Sequence, residues 1–392
     1  MSDDLERDLP TIISRASRRA PQAPQDLPTQ VMGRSRRRRA RTQSLIAAVA
    51  VAIVAGGVGA GTRAMTDGGP VTAVDPTPTS SPTGQAPEPI EKVWPDAVYK
   101  IPAKLPGGKK ARPQIFIDER TLLLETWESF EKADAIYAYD LDTGQSRKIA
   151  DIRTPKGVFA SGYAAGEGRI VWQTIDDRRT QFWSVPLRGG TPAAIPTDAP
   201  VKGGGDGLVV IGGKIAFSLS EGGVFTLPLE GGTVTPVEGA ERHHILRWPW
   251  VGTPGSYTPD NEPSFEEILN VETGETSKAL VRPGDRYVRC GVTTCTGTSG
   301  DERYFFRLRD GSLERALSQR PLFGAAYDRF TTVRLPNRNG EALLDLVTGE
   351  SGDFGLRPDA KGRMISIQPD VTDRLLSYEL KGKYVVIDLA KI

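Results

Sequence analysis

Histidine is nearly missing from this chain of 392 residues, which holds only His243 and His244. Neighbouring residues on a strand point to opposite faces, so the pair cannot converge on one ion or one nucleophile. A His-centred metal site and a His-based triad are thereby excluded, and no metal or cofactor is expected. Cysteine is equally scarce: Cys290 and Cys295 are the whole complement. No cysteine stands directly at the end of the one long apolar run, which excludes lipoprotein processing. At 25% charged residues the chain is not a polytopic membrane protein. Its N-terminal basic run lacks interleaved aromatics, the stacking platforms of single-strand binders, so no nucleic-acid partner is expected.

What is present is organised around residues 34–61. Arg34-Ser-Arg-Arg-Arg-Arg-Ala-Arg41 and three polar residues precede the uncharged run Leu45 to Gly61. Seventeen apolar or glycine residues make about 26 Å of helix at ~1.5 Å per residue, close to a ~30 Å hydrocarbon core. Six arginines lie just before the run and only Arg63 just after it. The positive-inside rule therefore puts the N-terminus in the cytosol and the C-terminal bulk outside the plasma membrane, with the bilayer as partner of Leu45 to Gly61. The domain reading is a cytosolic basic arm 1–42, a transmembrane helix 43–62, a Pro/Thr/Ser-rich linker 63–95 and an extracytoplasmic domain 96–392. A competing reading is a cleaved secretory signal, since Val58-Gly59-Ala60 resembles a small-residue cleavage site. The net charge of +1 hides ten arginines against five acids in residues 1–42. Leu5, Leu9, Ile12, Ile13 and Ala16 fall at helical spacing in that arm. They suit docking to a cytosolic partner or lying on the anionic leaflet. Seven prolines in residues 63–95 make a tether that cannot bury a core.

From Val98 onward the chain repeats. Each unit is an apolar-alternating strand that ends in Leu-x-x-Gly: Leu141-Asp-Thr-Gly144, Leu187-Arg-Gly-Gly190, Leu229-Glu-Gly-Gly232, Val271-Glu-Thr-Gly274, Leu308-Arg-Asp-Gly311 and Leu346-Val-Thr-Gly349. A seventh copy, Val385-Val-Ile-Asp-Leu389, ends the protein. Two residues before each Leu stands another apolar or aromatic residue (Tyr139, Val185, Leu227, Leu269, Phe306, Leu344, Ile387), the period of a half-buried strand. The glycine supplies the left-handed backbone that closes a hairpin. Pro186 and Pro228 count mildly against a central strand in their copies. Upstream, a turn, a basic residue and a second apolar strand recur at Arg120, Arg169, Lys214, Arg329 and Arg374. Two hairpins per unit make a four-stranded blade, and seven units predict an all-β, seven-bladed β-propeller. The strand 97–102 is expected to pair with 384–389 and close the ring.

The turns Tyr139-Asp-Leu-Asp-Thr-Gly144 and Asn270-Val-Glu-Thr-Gly274 resemble those of the broad TolB-type and WD-repeat-like propeller group, although the Gly-His and Trp-Asp marks of true WD repeats are missing. That resemblance implies a fold and carries over no catalytic residue. The arm, arginine run and span are similar to the N-termini of actinobacterial single-pass membrane proteins, among them regulators of the anti-sigma type.

Candidate chemistry is thin. Asp140 and Asp142 alternate as calcium ligands can, but they lack the rest of a ligand loop and occupy the repeating turn. Cys290 and Cys295 lie in one blade of an exterior domain, where a disulfide clamping a hairpin is the favoured state. The repeat is least regular at Gly252-Thr-Pro-Gly-Ser-Tyr-Thr-Pro-Asp-Asn-Glu-Pro-Ser264, too polar and proline-rich to continue a sheet. Recognition sits on irregular loops, which nominates Trp248, Trp250, Tyr257, Asp260 and Asn261 as ligand contacts. The function expected is non-enzymatic: a membrane-tethered module binding an envelope protein, peptide or glycan. Two alternatives stay open, a transmembrane sensor signalling through the cytosolic arm and a carboxylate-based glycan hydrolase or lyase, whose carboxylate pair would have to flank a cleft.

Overall fold

The computed structural model describes residues 87–392 apart from 130–131, 153, 156, 177–178, 256–263, 337–338, 365–366 and 368–373. The expected arm and membrane span, and the linker up to residue 86, lie outside these residues. Among the described residues no helix is long and apolar enough to cross a membrane.

The apolar alternation of each repeat yields an antiparallel meander, and seven sheets follow in chain order. Blade 1 is Ala111–Phe116, Thr121–Ser129, Lys132–Asp140 and Ser146–Asp151. Blade 2 (159–202), blade 3 (205–236), blade 4 (244–278) and blade 5 (286–317) also have four or more strands. Blade 6 contributes three described strands between 330 and 353. Blade 7 combines Leu375–Leu380 and Lys383–Asp388 with Val98–Pro102 from the other end of the chain. First strands of successive blades approach one another, as those of blades 1, 2, 3 and 4 do, and so line the centre. The apolar core lies between blades: Ile115, Leu123 and Ile136 of blade 1 pack on Tyr163, Ile170 and Trp172 of blade 2. Phe182 of blade 2 meets Phe217 of blade 3 with ring centroids 4.5 Å apart.

The repeated Leu-x-x-Gly has a backbone cause. The N–H of Leu141, Leu187, Leu229, Val271, Arg309, Leu346 or Leu389 donates to the carbonyl of Arg120, Gly168, Gly213, Pro249, Thr293, Arg329 or Arg374, respectively. One hydrogen bond thus ties the end of the third strand to the start of the second in all seven blades. The glycines at 144, 190, 232, 274, 311 and 349 all have positive φ, as the turn requires. Where Asp140, Asn270 or Asp345 ends the third strand, its side-chain oxygen caps backbone N–H groups of the turn. Pro186 and Pro228 instead end theirs at the margin of the sheet, where a missing N–H costs no ladder bond.

Blade 5 departs from the expected register. Gly311 donates to Leu308, as Gly189 does to Pro186 and Gly231 to Pro228, so the residue equivalent to the motif leucine is Arg309. The inward position two residues earlier is then Arg307, paired with Cys295 as Val185 is with Ile170, and Phe306 moves to the other face. A second correction concerns the linker boundary at 95. The folded region begins at about residue 88: Asp353 N–H donates to the Glu88 carbonyl, and the short helix Ile90–Val93 buries Ile90 against blade 6.

The closing strand pairs in the register Val98↔Ile387 through Pro102↔Lys383. Ile101, Val385, Val386 and Ile387 are buried there, each contributing about 1.5–3 kcal/mol. Arg374 makes a bidentate pair with the buried Asp388 across the same blade. Deleting Tyr384 to Ile392 opens the ring and exposes two strand edges. The truncated chain is expected to lose its cooperative thermal transition by circular dichroism; an unchanged melting curve would show that closure is dispensable.

Candidate functional site

The two faces of the ring differ. One, the turn face, carries the first-to-second-strand turns, two to four residues long in blades 1 to 5, and the third-to-fourth-strand turns, five or six residues long in blades 1 to 6. The other, the loop face, carries second-to-third-strand connections from two residues (130–131) to thirteen (254–266). It also carries the connections between blades, seven residues each at 152–158, 237–243 and 279–285. The turn face is fixed by backbone bonding, and chain variation is confined to the loop face.

On the loop face, the mouth of the ring at blade 1 collects buried polar groups. The second and third strands of blade 1 are nine residues each, whereas the first strand pairs only as far as Thr126. Trp127 and Glu128 therefore project beyond it. Arg112, on the first strand, stacks its guanidinium over the Trp127 ring, 5.0 Å from the centroid. Opposite Arg112 in the ladder stands Glu125, 6% exposed. Gln114 Nε2 donates to Glu125 Oε2 at 2.6 Å, while Arg112 Nη2 is 3.8 Å from the same oxygen. The Tyr163 hydroxyl of blade 2 faces this carboxyl. Burial pushes Glu125 up to about 7, against the opposing pull of Arg112, Tyr163 and Gln114. Tyr163 is pushed well up by burial and by Glu125, and burial also raises Tyr384 of blade 7. Further round the mouth, His244 Nδ1 lies 2.8 Å from Asp206 Oδ2. Gln173 fills the space left by Gly162 and Gly205, where a Cβ would meet its amide within 2.6 Å and 1.7 Å.

The residues nominated from sequence are scattered. Trp248 and Trp250 sit at the turn-face end of blade 4, in and just after its first turn. The Trp248 indole N–H donates to Glu272 Oε1 at 2.8 Å, and Trp250 packs against Leu246, Phe265, Ile268 and Val292. The loop that follows begins at the other end of the strand Trp250–Thr253, about 10 Å away at ~3.4 Å per residue. Trp248 is not brought to it, Trp250 meets it only through Phe265 where the loop returns to the sheet, and both serve packing. Tyr257, Asp260 and Asn261 lie outside the described residues. Cys290 and Cys295 face each other across the first hairpin of blade 5 and are joined, with S–S 2.07 Å. His243 and His244 stand at the start of blade 4, and burial lowers the His243 pKa. Among the described residues no group of three or more His, Cys, Asp or Glu is placed to hold a metal. Sequence reading missed Arg112, Gln114, Glu125 and Tyr163. The one signal for them was the polar Gln114 and Glu125 within otherwise apolar strands.

No protein-family model matches the chain, and no curated protein matches it. Solved structures similar to it include YCF48 bound to a D1 peptide, 10% identical with TM-score 0.45, covering 74% of this chain and 94% of that one. A Synechocystis apocarotenoid oxygenase is 14% identical with TM-score 0.38, covering 55% and 63%. The oligogalacturonate lyase of Vibrio parahaemolyticus is 12% identical with TM-score 0.35, covering 61% and 75%. The chain thus spans less than two thirds of the oxygenase. Likenesses at this level bear on neither activity nor ligand.

The Glu125 shift has a consequence for stability. Its folded pKa of about 7 lies above the ordinary ~4.3 of an unfolded glutamate, so the folded state holds the extra proton between these values. The contribution of this group is complete below ~4.3 and is lost as pH rises through about 7, reaching an order of 3 kcal/mol by pH 8. Glu125→Gln, which cannot ionise, is expected to raise the urea midpoint at pH 8 and leave it nearly unchanged at pH 5. Equal effects at both pH values would contradict the shift.

Proposed function

We propose that this chain is a membrane-tethered propeller that binds an envelope protein, peptide or other envelope ligand on its loop face. The contrast between the two faces carries this reading. Seven identical backbone bonds hold the turn face, while connections of unequal length crowd the loop face. Rigid elements that present unequal loops are the usual platform for recognition. The residues at the mouth suit binding: a stacked Arg–Trp pair, buried amides and a His–Asp pair. The connection 254–266 leaves and rejoins the sheet at the loop-face ends of the strands Trp250–Thr253 and Glu267–Asn270. The anchor is argued from the arginine run and Leu45 to Gly61 alone.

Two experiments test the reading. Replacing residues 254–263 by a short Gly-Ser turn is expected to preserve cooperative unfolding and weaken capture of the species that the wild-type chain retrieves from an envelope extract. A matched substitution in the turn at 271–275 is expected to leave capture intact. Equal capture by both variants would move the site off this loop. For topology, protease added to intact cells is expected to remove the chain after residue 62 and spare the arm. A mature protein that begins near residue 61 and is free in the medium would identify the span as a cleaved signal.

A further inference from the structure

We infer that the mouth of the ring at blades 7, 1 and 2 is a receptor for one peptide carboxylate, with Arg112 as the cation that receives it. This deepens the binding reading above and rests on it.

The inference begins with an unmet need. The Arg112 side chain is 20% exposed, yet among the described residues its guanidinium donates no hydrogen bond; its contacts are the Trp127 face and a carboxyl oxygen at 3.8 Å. That separation is too long for a hydrogen bond. Other guanidinium groups in the protein are bonded: Arg374 is bidentate to Asp388, Arg329 to Asp345 and Arg357 to Asp353. A largely desolvated cation with five idle donors is costly unless an acceptor arrives.

The groups that face Arg112 do not supply the missing charge. Glu125, its ladder partner, is held near neutrality by burial and is already engaged by Gln114. Tyr163 from blade 2 and Tyr384 from blade 7, which both feel the Arg112 charge, keep their protons because burial raises both; Glu128 and Asp134 at this end of the blade are paired with Lys132 and Lys109. Below pH 7 the site therefore holds one net positive charge, with the Tyr163 hydroxyl at its edge. One charge matches a monoanion. A phosphate dianion would leave excess negative charge beside Glu125, whereas a carboxylate can lie flat against the guanidinium fork with two parallel bonds.

The second observation indicates what bears the carboxylate. The first strand of blade 1 stops pairing at Thr126, so among the described strands none pairs with Trp127 and Glu128 on the channel side. That edge, which carries the Trp127 ring stacked on Arg112, can accept an extended peptide by strand addition. A peptide on it brings an Asp or Glu side chain, or its own terminus, over the guanidinium.

Calorimetric titration of the full-length chain tests the inference with three probes: acetyl-Gly-Val-Glu-Val-Gly amide, its Gln counterpart, and the Gln counterpart with a free C-terminal carboxylate. The Glu peptide, the free-terminus peptide or both are expected to bind at least tenfold more tightly than the neutral one. The stronger of the two identifies the carboxylate as side chain or terminus. Arg112→Gln is expected to remove that preference. Wild-type affinity is expected to fall about tenfold between pH 6 and pH 8, as Glu125 ionises and neutralises Arg112. Glu125→Gln, an isosteric change that still accepts from Gln114, is expected to keep the pH 6 affinity at both pH values. Equal binding of charged and neutral peptides, an undiminished Arg112→Gln variant, or affinity that rises with pH would overturn the inference. So would binding of glucuronate oligomers with no peptide binding, which would assign the cation to a sugar acid. If the peptides fail while the 254–263 replacement still loses its captured ligand, the carboxylate receptor is wrong and the binding reading stands.

Discussion

Ring closure is the constraint on which the rest of this domain depends. A propeller blade buries its faces only against two neighbours, so the first and last blades are incomplete until the chain ends meet. Here Val98–Pro102 pairs with Lys383–Asp388, a contact between residues nearly 300 apart that must be made against loop-closure entropy. The N-terminal segment reinforces it beyond a single strand. Glu88 bonds to Asp353, and Ile90 packs so closely on Gly352 that a Cβ there would lie 2.9 Å from its Cα. The chain then crosses blade 7 and enters blade 1. Residues 88–116 thus span two blade junctions, and the C-terminal Lys391 ammonium reaches back to the Tyr99 hydroxyl at 2.6 Å.

The fold was legible in the sequence because a backbone hydrogen bond recurs with it. The N–H after the third strand reaches the carbonyl before the second in every blade, and in blades 1 to 6 a short turn with a positive-φ glycine then leads on to the fourth strand. Glycine therefore persists at each turn while the residues around it change from Asp-Thr to Arg-Gly to Val-Thr. Blade 5 was misread by one residue because two arginines stand where the pattern needs apolar side chains. Arg307 is fully buried, bonded to the Leu280 carbonyl and Asp285 and stacked on Phe305. Hydropathy assigns such a residue to solvent, and the true register became visible only through the bonding of the turn. The helix Ile90–Val93 was hidden for a different reason: it lies among the prolines of a segment whose composition reads as tether.

The candidate site was far less legible. Arg112, Glu125, Tyr163 and Tyr384 are drawn from blades 1, 2 and 7, and nothing in their sequence spacing relates them. Their chemistry arises from burial and from ladder register, neither of which a repeat pattern encodes. The same limit explains the two tryptophans. Trp248 and Trp250 are close in sequence to the long loop, but a strand carries the chain across the full thickness of the blade between them. Proximity in sequence joined the aromatics to the long loop, whereas the strand sets Trp248 and Trp250 at the turn-face end of the blade.

Two arginines define how buried charge is used in this protein. Arg309 takes the place of a motif leucine, and all five of its N–H groups are spent: on the carbonyls of Phe265, Glu266, Ser277 and Gly291 and on the Ser277 hydroxyl. Desolvation lowers its pKa to about 10, which leaves it charged at neutral pH with no need left to fill. It joins blades 4 and 5 as a fixed strut. Arg112 is the opposite case, partly exposed, stacked on one aromatic face and hydrogen-bonded to nothing among the described residues. Its position, at the mouth of the ring beside the end of the first strand's pairing and a carboxyl pushed up to about 7, is what the proposed carboxylate receptor is built on.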